Sequence, residues 1–187
     1  MENVAKTDRR ILRTKQAIKK SFLELFTEKE FEQITINEIA DRANVNRGTV
    51  YLHYSDKYDL LDKCIEEHIN EIISLCKDRG SGQGNPQQLF DYFREHFPFF
   101  SAMFSNERVF LFRDQLLHFF SVNMMMKMEQ ANDKPIIDQE IKAQFMASAF
   151  IGILEWWIRN RMPHSTLFMA DQVRNLFENN QVYPMFR

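Results

Sequence analysis

The chain has 187 residues and a formal net charge of -2; it is long enough for a buried core and could hold one large domain or two small ones, but it is no polycation, so any nucleic-acid surface must be local. Its two cysteines, Cys64 and Cys76, exclude a disulfide framework and have no metal-ligand partners at recognisable spacing. Phe is abundant at 18 while Gly and Pro stand at 5 each, which favours helices over a turn-rich β architecture.

In chain order, Lys6–Lys20 holds Lys6, Arg9, Arg10, Arg13, Lys15, Lys19 and Lys20 against Asp8 alone. A helix is predicted from about Asp8 to Glu28, with Ile11, Ile18, Phe22, Leu25 and Phe26 on one face. Cations at a helix start gain nothing from its dipole, so this cluster fits either an external phosphate or a solubilising surface. Phe31 and Ile34 can close a small core. Thr35-Ile-Asn-Glu38 then fits a capping box, opening a short helix with Ile36, Ile39, Ala40 and Ala43 inward. Asn44-Val45-Asn46 makes a turn, and Asn46 can cap a second short helix from Arg47. Gly48 is costly inside a helix unless backbone or ligand must come close. Val45, Val50 and Leu52 are the apolar candidates around that helix, with Val45 and Val50 the better anchors. Arg47, Thr49, Tyr51 and His53 offer the side chains that a helix in a DNA major groove needs. Ser55 is predicted to cap a longer helix. Its first turn holds Lys57, poorly placed for the dipole and well placed for a phosphate. Tyr58, Leu61, Ile65, Ile69 and Ile72 continue its apolar face up to the break at Gly80-Ser-Gly-Gln-Gly84.

These residues resemble the TetR/AcrR family of bacterial transcription regulators over Arg13–Leu61. The likeness rests on Ile18, Phe22, Phe26, Phe31, Thr35–Ile36, Ile39–Ala40, Ala43–Asn44–Val45–Asn46 and Gly48–Thr49–Val50–Tyr51–His53–Tyr54, with Lys57 and Leu60. Family members often carry Gly where Asn44 stands and Ser where Asn46 stands. The resemblance implies an all-α protein: an N-terminal three-helix bundle with a helix-turn-helix and a C-terminal helical effector and dimerisation domain. The expected division is 1–55 for DNA binding, with the helix-turn-helix at about 35–53, and 56–187 for the rest, with 56–78 as a connecting helix. Carried over by position, Thr35, Asn46, Arg47, Thr49, Tyr51, His53 and Lys57 would line the DNA side. Arg47 and Thr49 would meet base edges, and Tyr51, His53 and Lys57 would clamp phosphates. The implied function is a homodimer on a pseudopalindromic DNA operator, a repressor released by an effector. An activator, or a regulator controlled by a protein partner, is the alternative.

After Pro86 the chain is rich in aromatic residues. Leu89, Phe90, Phe93 and Phe97 suggest a helix ending near Pro98, followed by a short segment with Phe99, Phe100, Met103 and Phe104. Ser105 or Asn106 can cap a further helix through Phe112, Leu116, Phe119 and Phe120 to Met124-Met-Met126. Phe93, Phe97, Phe100, Phe104, Phe112 and Phe119 fit an effector pocket for a small apolar or aromatic ligand, and they fit an ordinary core equally well. Asn132–Pro135 is the next break. Ile136–Arg161 reads as a long helix with apolar residues on several sides, as a central or interface helix has. Pro163 can start the last helix. Phe150, Trp156, Trp157, Val173 and Phe177 are the candidates for a dimer seam, since aromatic residues are enriched in interface cores. The pattern Leu154-Glu-Trp-Trp-Ile-Arg-Asn-Arg-Met-Pro163 also resembles a TetR-like subgroup, which argues against assuming a drug ligand or simple repression.

An enzyme is the main competing class, and it would need converging catalytic groups. The histidines His53, His68, His96, His118 and His164 show no recognised spacing. Neither a cofactor nor a metal is expected. The N-terminus is polar and then basic, without a signal peptide. The longest apolar run, Phe145–Leu154, is too short to span a membrane, so a cytoplasmic protein is expected.

Overall fold

A computed structural model of the chain describes residues 2–76, 85–105, 110–130 and 138–179. Every regular element among them is helical. The order is α1 (Glu2–Glu28), a 3-10 turn (Phe31–Gln33), α2 (Ile36–Arg42), α3 (Arg47–Tyr51), α4 (Lys57–Cys76), α5 (Pro86–Glu95), α6 (Phe97–Ser105), α7 (Phe110–Gln130), α8 (Gln139–Arg159) and α9 (Thr166–Asn179). The chain divides into two compact units, Met1–His68 and Ile69–Arg187, so α4 contributes residues to both. The predicted breaks at Gly80–Gly84 and Asn132–Pro135, and the alternative cap Asn106, lie outside the described residues.

In the first unit, α2 packs against α1 and α3. The core is small: Ile18, Phe22, Phe26, Phe31, Ile34, Ile39, Val50 and Leu60. Phe22, Phe26 and Phe31 form a triangle of rings 5.7–6.2 Å apart. The inner face of α1 begins at Ile18, whereas Ile11, predicted on that face, is exposed. Polar ties finish the assembly. Arg42 at the end of α2 donates from both terminal nitrogens to Glu28 at the end of α1 (2.6 and 2.8 Å), and Lys19 pairs with Glu67 on α4. The predicted cap of α4 is displaced by one residue. Asp56, not Ser55, accepts from the N–H groups of Tyr58 and Asp59 (2.8 Å each), because a carboxylate at that position reaches two orphan donors. The Ser55 N–H donates instead to Asp59 (2.8 Å).

The second unit is held by rings. Helix α7 packs along α8, α5 against α9, and α6 against α8. Phe90 meets Trp157 edge-on at 5.3 Å and Phe150 at 6.0 Å, and Phe120 closes on Phe150 at 4.7 Å. Asn85 caps α5 ahead of Pro86, and Asp138 caps α8 by accepting from Glu140 and Ile141. Helix α8 therefore begins at Gln139 and ends at Arg159, inside the predicted span. The predicted stop at Pro98 also moves: α5 ends at Glu95, and Pro98 sits in the first turn of α6, where a missing N–H costs nothing. Helix α9 starts at Thr166 rather than Pro163, with the Ser165 hydroxyl accepting from Phe168 N–H (3.2 Å). The Thr166 hydroxyl is buried and donates to Asp91 on α5 (2.7 Å).

Candidate nucleic-acid interface

Local chemistry builds the helix-turn-helix in three steps. Helix α2 opens with the predicted capping box. Thr35 Oγ1 accepts from Glu38 N–H at 3.3 Å, and Glu38 accepts from Thr35 N–H at 3.0 Å. Lys29 binds the same carboxylate, and together these donors hold the Glu38 carboxyl down at about 2, with Lys29 the largest cause. Helix α2 closes in a way its residues did not announce. Val45 N–H donates to Ala40 C=O (3.0 Å) and Asn44 N–H to Asp41 C=O (3.1 Å). This pair of bonds needs a left-handed residue between them, and Asn44 supplies it at φ 53°. Asn tolerates that conformation better than most non-glycine residues, which explains why a family position often held by Gly can hold Asn. Helix α3 then starts from Asn46, whose side chain accepts from Gly48 N–H at 3.0 Å.

Val50 is the inward anchor of α3 and is fully buried; burial of that kind contributes ~1.5–3 kcal/mol. The exposed side holds Arg47 and Tyr51, one turn apart. Arg47 donates to the Tyr51 hydroxyl (3.1 Å) and lies 5.4 Å from the centre of its ring. A guanidinium braced this way keeps a planar set of donors facing out. Thr49 is half-buried, and Asn46 is exposed with its side-chain oxygen committed to the cap. Thr35 is exposed too, with its hydroxyl on Glu38 (2.9 Å). His53 is half-buried and its carbonyl accepts from Lys63 (3.2 Å).

Lys57 departs from the phosphate-clamp expectation. Its ammonium donates to the carbonyls of Phe31 (3.0 Å) and Glu32 (2.8 Å) and lies 4.8 Å from the Phe31 ring centre. These carbonyls close the 3-10 turn, so Lys57 ties α4 to it instead of standing clear in solvent. Lys63, on α4, sits 5.3 Å from the Tyr54 ring and pairs with Asp59 (3.1 Å). Leu52, an apolar candidate around this helix by sequence, is 81% exposed. Among the described residues Arg9, Arg10, Arg13 and Lys15 are exposed along α1.

The Phe-rich segment turns out to be core. Phe93, Phe100, Phe104 and Phe112 are buried ring against ring, with Phe93–Phe100 at 4.4 Å and Phe104–Phe112 at 5.7 Å. Phe119 is half-buried against Phe120, and Phe97 edges a polar cleft with Ser101, Arg159 and Arg161. A separate apolar cavity of about 180 Å³ is lined by residues that include Leu89, Phe120, Met124, Phe150, Val173 and Phe177. None of the six predicted phenylalanines lines it. Cys76 and Asn123 stand at its wall.

The seam residues divide in the same way. Phe150, Trp157 and Val173 are buried inside the unit and cannot form a seam. Trp157 also donates its indole N–H to His164 C=O (3.0 Å). Phe177 is half-buried on the cavity wall. Trp156 is exposed, in line with Ile141 and Phe145 on α8. Gly152 lies in that line with nothing within 4 Å of where a Cβ would be. On α9, Leu167, Phe168 and Leu176 are exposed. His164 joins the two faces, 6.1 Å from the Trp156 ring and 4.6 Å from Phe168.

No group of three or more His, Cys, Asp or Glu among the described residues is arranged to hold a metal. No helix among them is long and apolar enough to cross a membrane. Cys64 is buried, and burial pushes its thiol up to about 12.

Comparison with known proteins agrees with this architecture. Residues 22–64 match the family model of bacterial regulatory proteins, tetR family, and residues 84–179 match a transcriptional regulator C-terminal region of TetR type. The chain is 40% identical over 73 residues to an HTH-type regulator, YxbF, of Bacillus subtilis, covering 38% of this chain and 19% of that one. It is 26% identical over 132 residues to the dhaKLM operon transcriptional activator DhaS of Lactococcus lactis, covering 71% of this chain and 65% of that one. The aligned stretches thus span less than two thirds of these curated relatives. A DhaS structure superposes with TM-score 0.66 at 22% identity, over 89% of this chain and 95% of that one. A TetR-family regulator from Syntrophomonas wolfei superposes with TM-score 0.70 at 20% identity, over 92% and 96%. At such identities the structures speak for the fold. The two family matches together, on a capped helix-turn-helix followed by a ring-packed helical unit, show that the chain belongs to the TetR family of bacterial regulators.

Proposed function

We propose that the chain is a sequence-specific DNA-binding transcriptional regulator that acts as a homodimer on a pseudopalindromic operator. The observation that carries this reading is α3 itself. Its one buried side chain, Val50, locks it to the bundle, while Arg47 and Tyr51 face outward as a braced donor pair. Arg47 and Thr49 are assigned to base edges and Tyr51 and His53 to phosphates. Lys57 is assigned to positioning α4, since its ammonium is engaged with two carbonyls. Two copies would meet through the exposed line of Ile141, Phe145 and Trp156 with Phe168 and Leu176. The open Gly152 leaves room for a second helix there. Such a protein works in the cytoplasm, where its operator is.

Selection from a random duplex pool followed by footprinting tests this. The expected result is one preferred pseudopalindrome, bound by a dimer with affinity falling steeply as salt rises. A dimer that binds all duplexes alike would sink the proposal. Within this reading the chain represses until a small apolar or aromatic effector fills the 180 Å³ cavity. The likeness to the activator DhaS favours a second reading, activation or control by a protein partner. Transcription from the neighbouring promoter after deletion of the gene separates them: it rises for a repressor and falls for an activator.

A further inference from the structure

Helix α3 and its C-cap carry two residues that their own packing does not explain. Gly48 is the first. A Cβ there would meet only the Asn46 side-chain oxygen at 3.6 Å, an ordinary contact, and its backbone is in the common helical region. Glycine inside a helix costs about 0.5–1 kcal/mol against alanine, so the protein's interior gives no reason to keep it. Leu52 is the second. It is 81% exposed, the most exposed large apolar side chain among the described residues, and it is the C-cap that continues the helical turn of α3.

The two form one surface. The Leu52 N–H donates to Gly48 C=O (3.1 Å), so they stand one turn apart. At about 100° per residue, each lies within about 20° of the line opposite Val50. Since Val50 is the buried anchor, Gly48 and Leu52 form the outermost ridge of α3. A helical leucine leans toward the preceding turn, which here is the bare Gly48. Arg47 and Tyr51 flank the ridge on one side and Thr49 on the other. When the outer face of α3 enters a major groove, the flanks meet the polar walls. The ridge reaches deepest. The apolar group that the groove floor presents is the thymine 5-methyl.

We infer that Leu52 is a specificity residue that reads a thymine 5-methyl group, and that Gly48 is small so that α3 can sit low enough for that contact. This rests on the DNA-binding reading above. It adds a position that the polar residues of the recognition helix do not supply: an apolar reader that prefers A·T pairs by methyl contact and not by hydrogen bonding.

The test uses the full-length protein and the duplex that it selects from a random pool. Each thymine of one half-site is replaced in turn by deoxyuridine, which removes only the methyl. Binding of wild type and of Leu52→Ala is measured on each duplex. At one thymine the wild type should lose about three- to fivefold, the scale of one methyl-sized group leaving an apolar contact. Leu52→Ala should bind the parent duplex more weakly by at least that factor and lose nothing further at that thymine. Uracil losses of equal size in both proteins, or no uracil-sensitive thymine at all, would overturn the inference while leaving sequence-specific binding intact. Failure of the wild type to select any duplex would instead remove the DNA-binding reading beneath it. Leu52 is exposed, so circular dichroism and thermal melting of Leu52→Ala should match wild type.

Discussion

The two units hold their helices by different means. In Met1–His68 the working helices have only 7 and 5 residues, too short to persist by themselves, and their ends are fixed by side chains on orphan backbone groups. Thr35, Glu38, Asn44, Asn46 and Asp56 all serve helix ends or the turn between them. In Ile69–Arg187 the helices run to 21 residues and are fixed along their length by aromatic packing around Trp157. The same end-of-helix geometry appears in both, with a different outcome. Helix α2 ends on one left-handed Asn, whereas α8 ends on two consecutive left-handed residues, Arg161 (φ 58°) and Met162 (φ 54°). Left-handed conformation costs a residue such as Arg or Met roughly 1–2 kcal/mol. The bonds from Arg161 N–H to Ile158 C=O and from Met162 N–H to Trp157 C=O (3.0 and 2.8 Å) offset it, and the Trp157 indole anchors the following turn through His164. Capped short helices position side chains with few contacts behind them. The long helices carry end chemistry too, as Asn85 on α5 and Asp138 on α8 show, and add ring packing along their length.

The contrast sets the size of each perturbation. Trp157→Ala should cost most, about 3–5 kcal/mol, since it empties a fully buried site next to Phe90. Denaturant unfolding of the second unit would register it, and a cost under 1 kcal/mol would contradict a ring-held unit. Arg47→Ala should weaken operator binding by about 10- to 100-fold, the scale of one bidentate base contact, and leave the dimer intact by sedimentation. Loss of the dimer would place Arg47 in the wrong region. Thr35→Ala removes the capping box and should lower stability by ~1 kcal/mol, with thermal melting as the measure. An unchanged melting temperature would mean that packing, not capping, holds α2.

Gly48→Ala separates fold from function. It should raise stability by up to about 1 kcal/mol while reducing operator affinity, because the space it fills is outside the protein. A parallel rise in both would show that the glycine serves nothing on the DNA side. Acid finally probes the cap of α2, together with the carboxyls of Glu28, lowered mainly by Arg42, and Asp59, lowered mainly by the Ser55 N–H. The folded Glu38 carboxyl, lowered mainly by Lys29 and next by Thr35, titrates near 2, below its ordinary 4.5. Its contribution is therefore complete above about pH 4.5 and lost as pH falls from there toward 2. Glu38→Gln should flatten that part of the acid unfolding curve, and a curve identical to wild type would show that the capping box adds no pH-dependent stability.

An outward glycine recurs in both units. Gly48 on α3 and Gly152 on α8 each face a space that a methyl group would not overfill, and each sits among exposed side chains proposed to meet a partner. Where the interior does not require a glycine, the exterior is the place to look for the reason.

Much was legible in the residues. Local rules act over three or four positions, so the Thr35–Glu38 box, the Asn46 cap and the inward Val50 could be read before any fold was known. Composition and apolar spacing favoured helices, and the all-α class came with the family resemblance, which rests on the density of matching positions between Arg13 and Leu61. What tertiary structure alone decided is which side of a residue faces inward when several sides are apolar. Periodicity could not tell Trp156 from Trp157; Trp157 packs on Phe90 and donates to His164 C=O, while Trp156 is exposed. It could not tell a Phe-lined pocket from a Phe-filled core, because both have the same spacing; ring contacts at 4.4–5.7 Å make it core and put the cavity elsewhere. Nor could it show Lys57 turning to the carbonyls of Phe31 and Glu32, residues 26 and 25 positions away. The sequence by itself determined the helix starts at Thr35 and Asn46, where cap and backbone partner are neighbours in the chain. The structure decided faces, where partners are neighbours only in space.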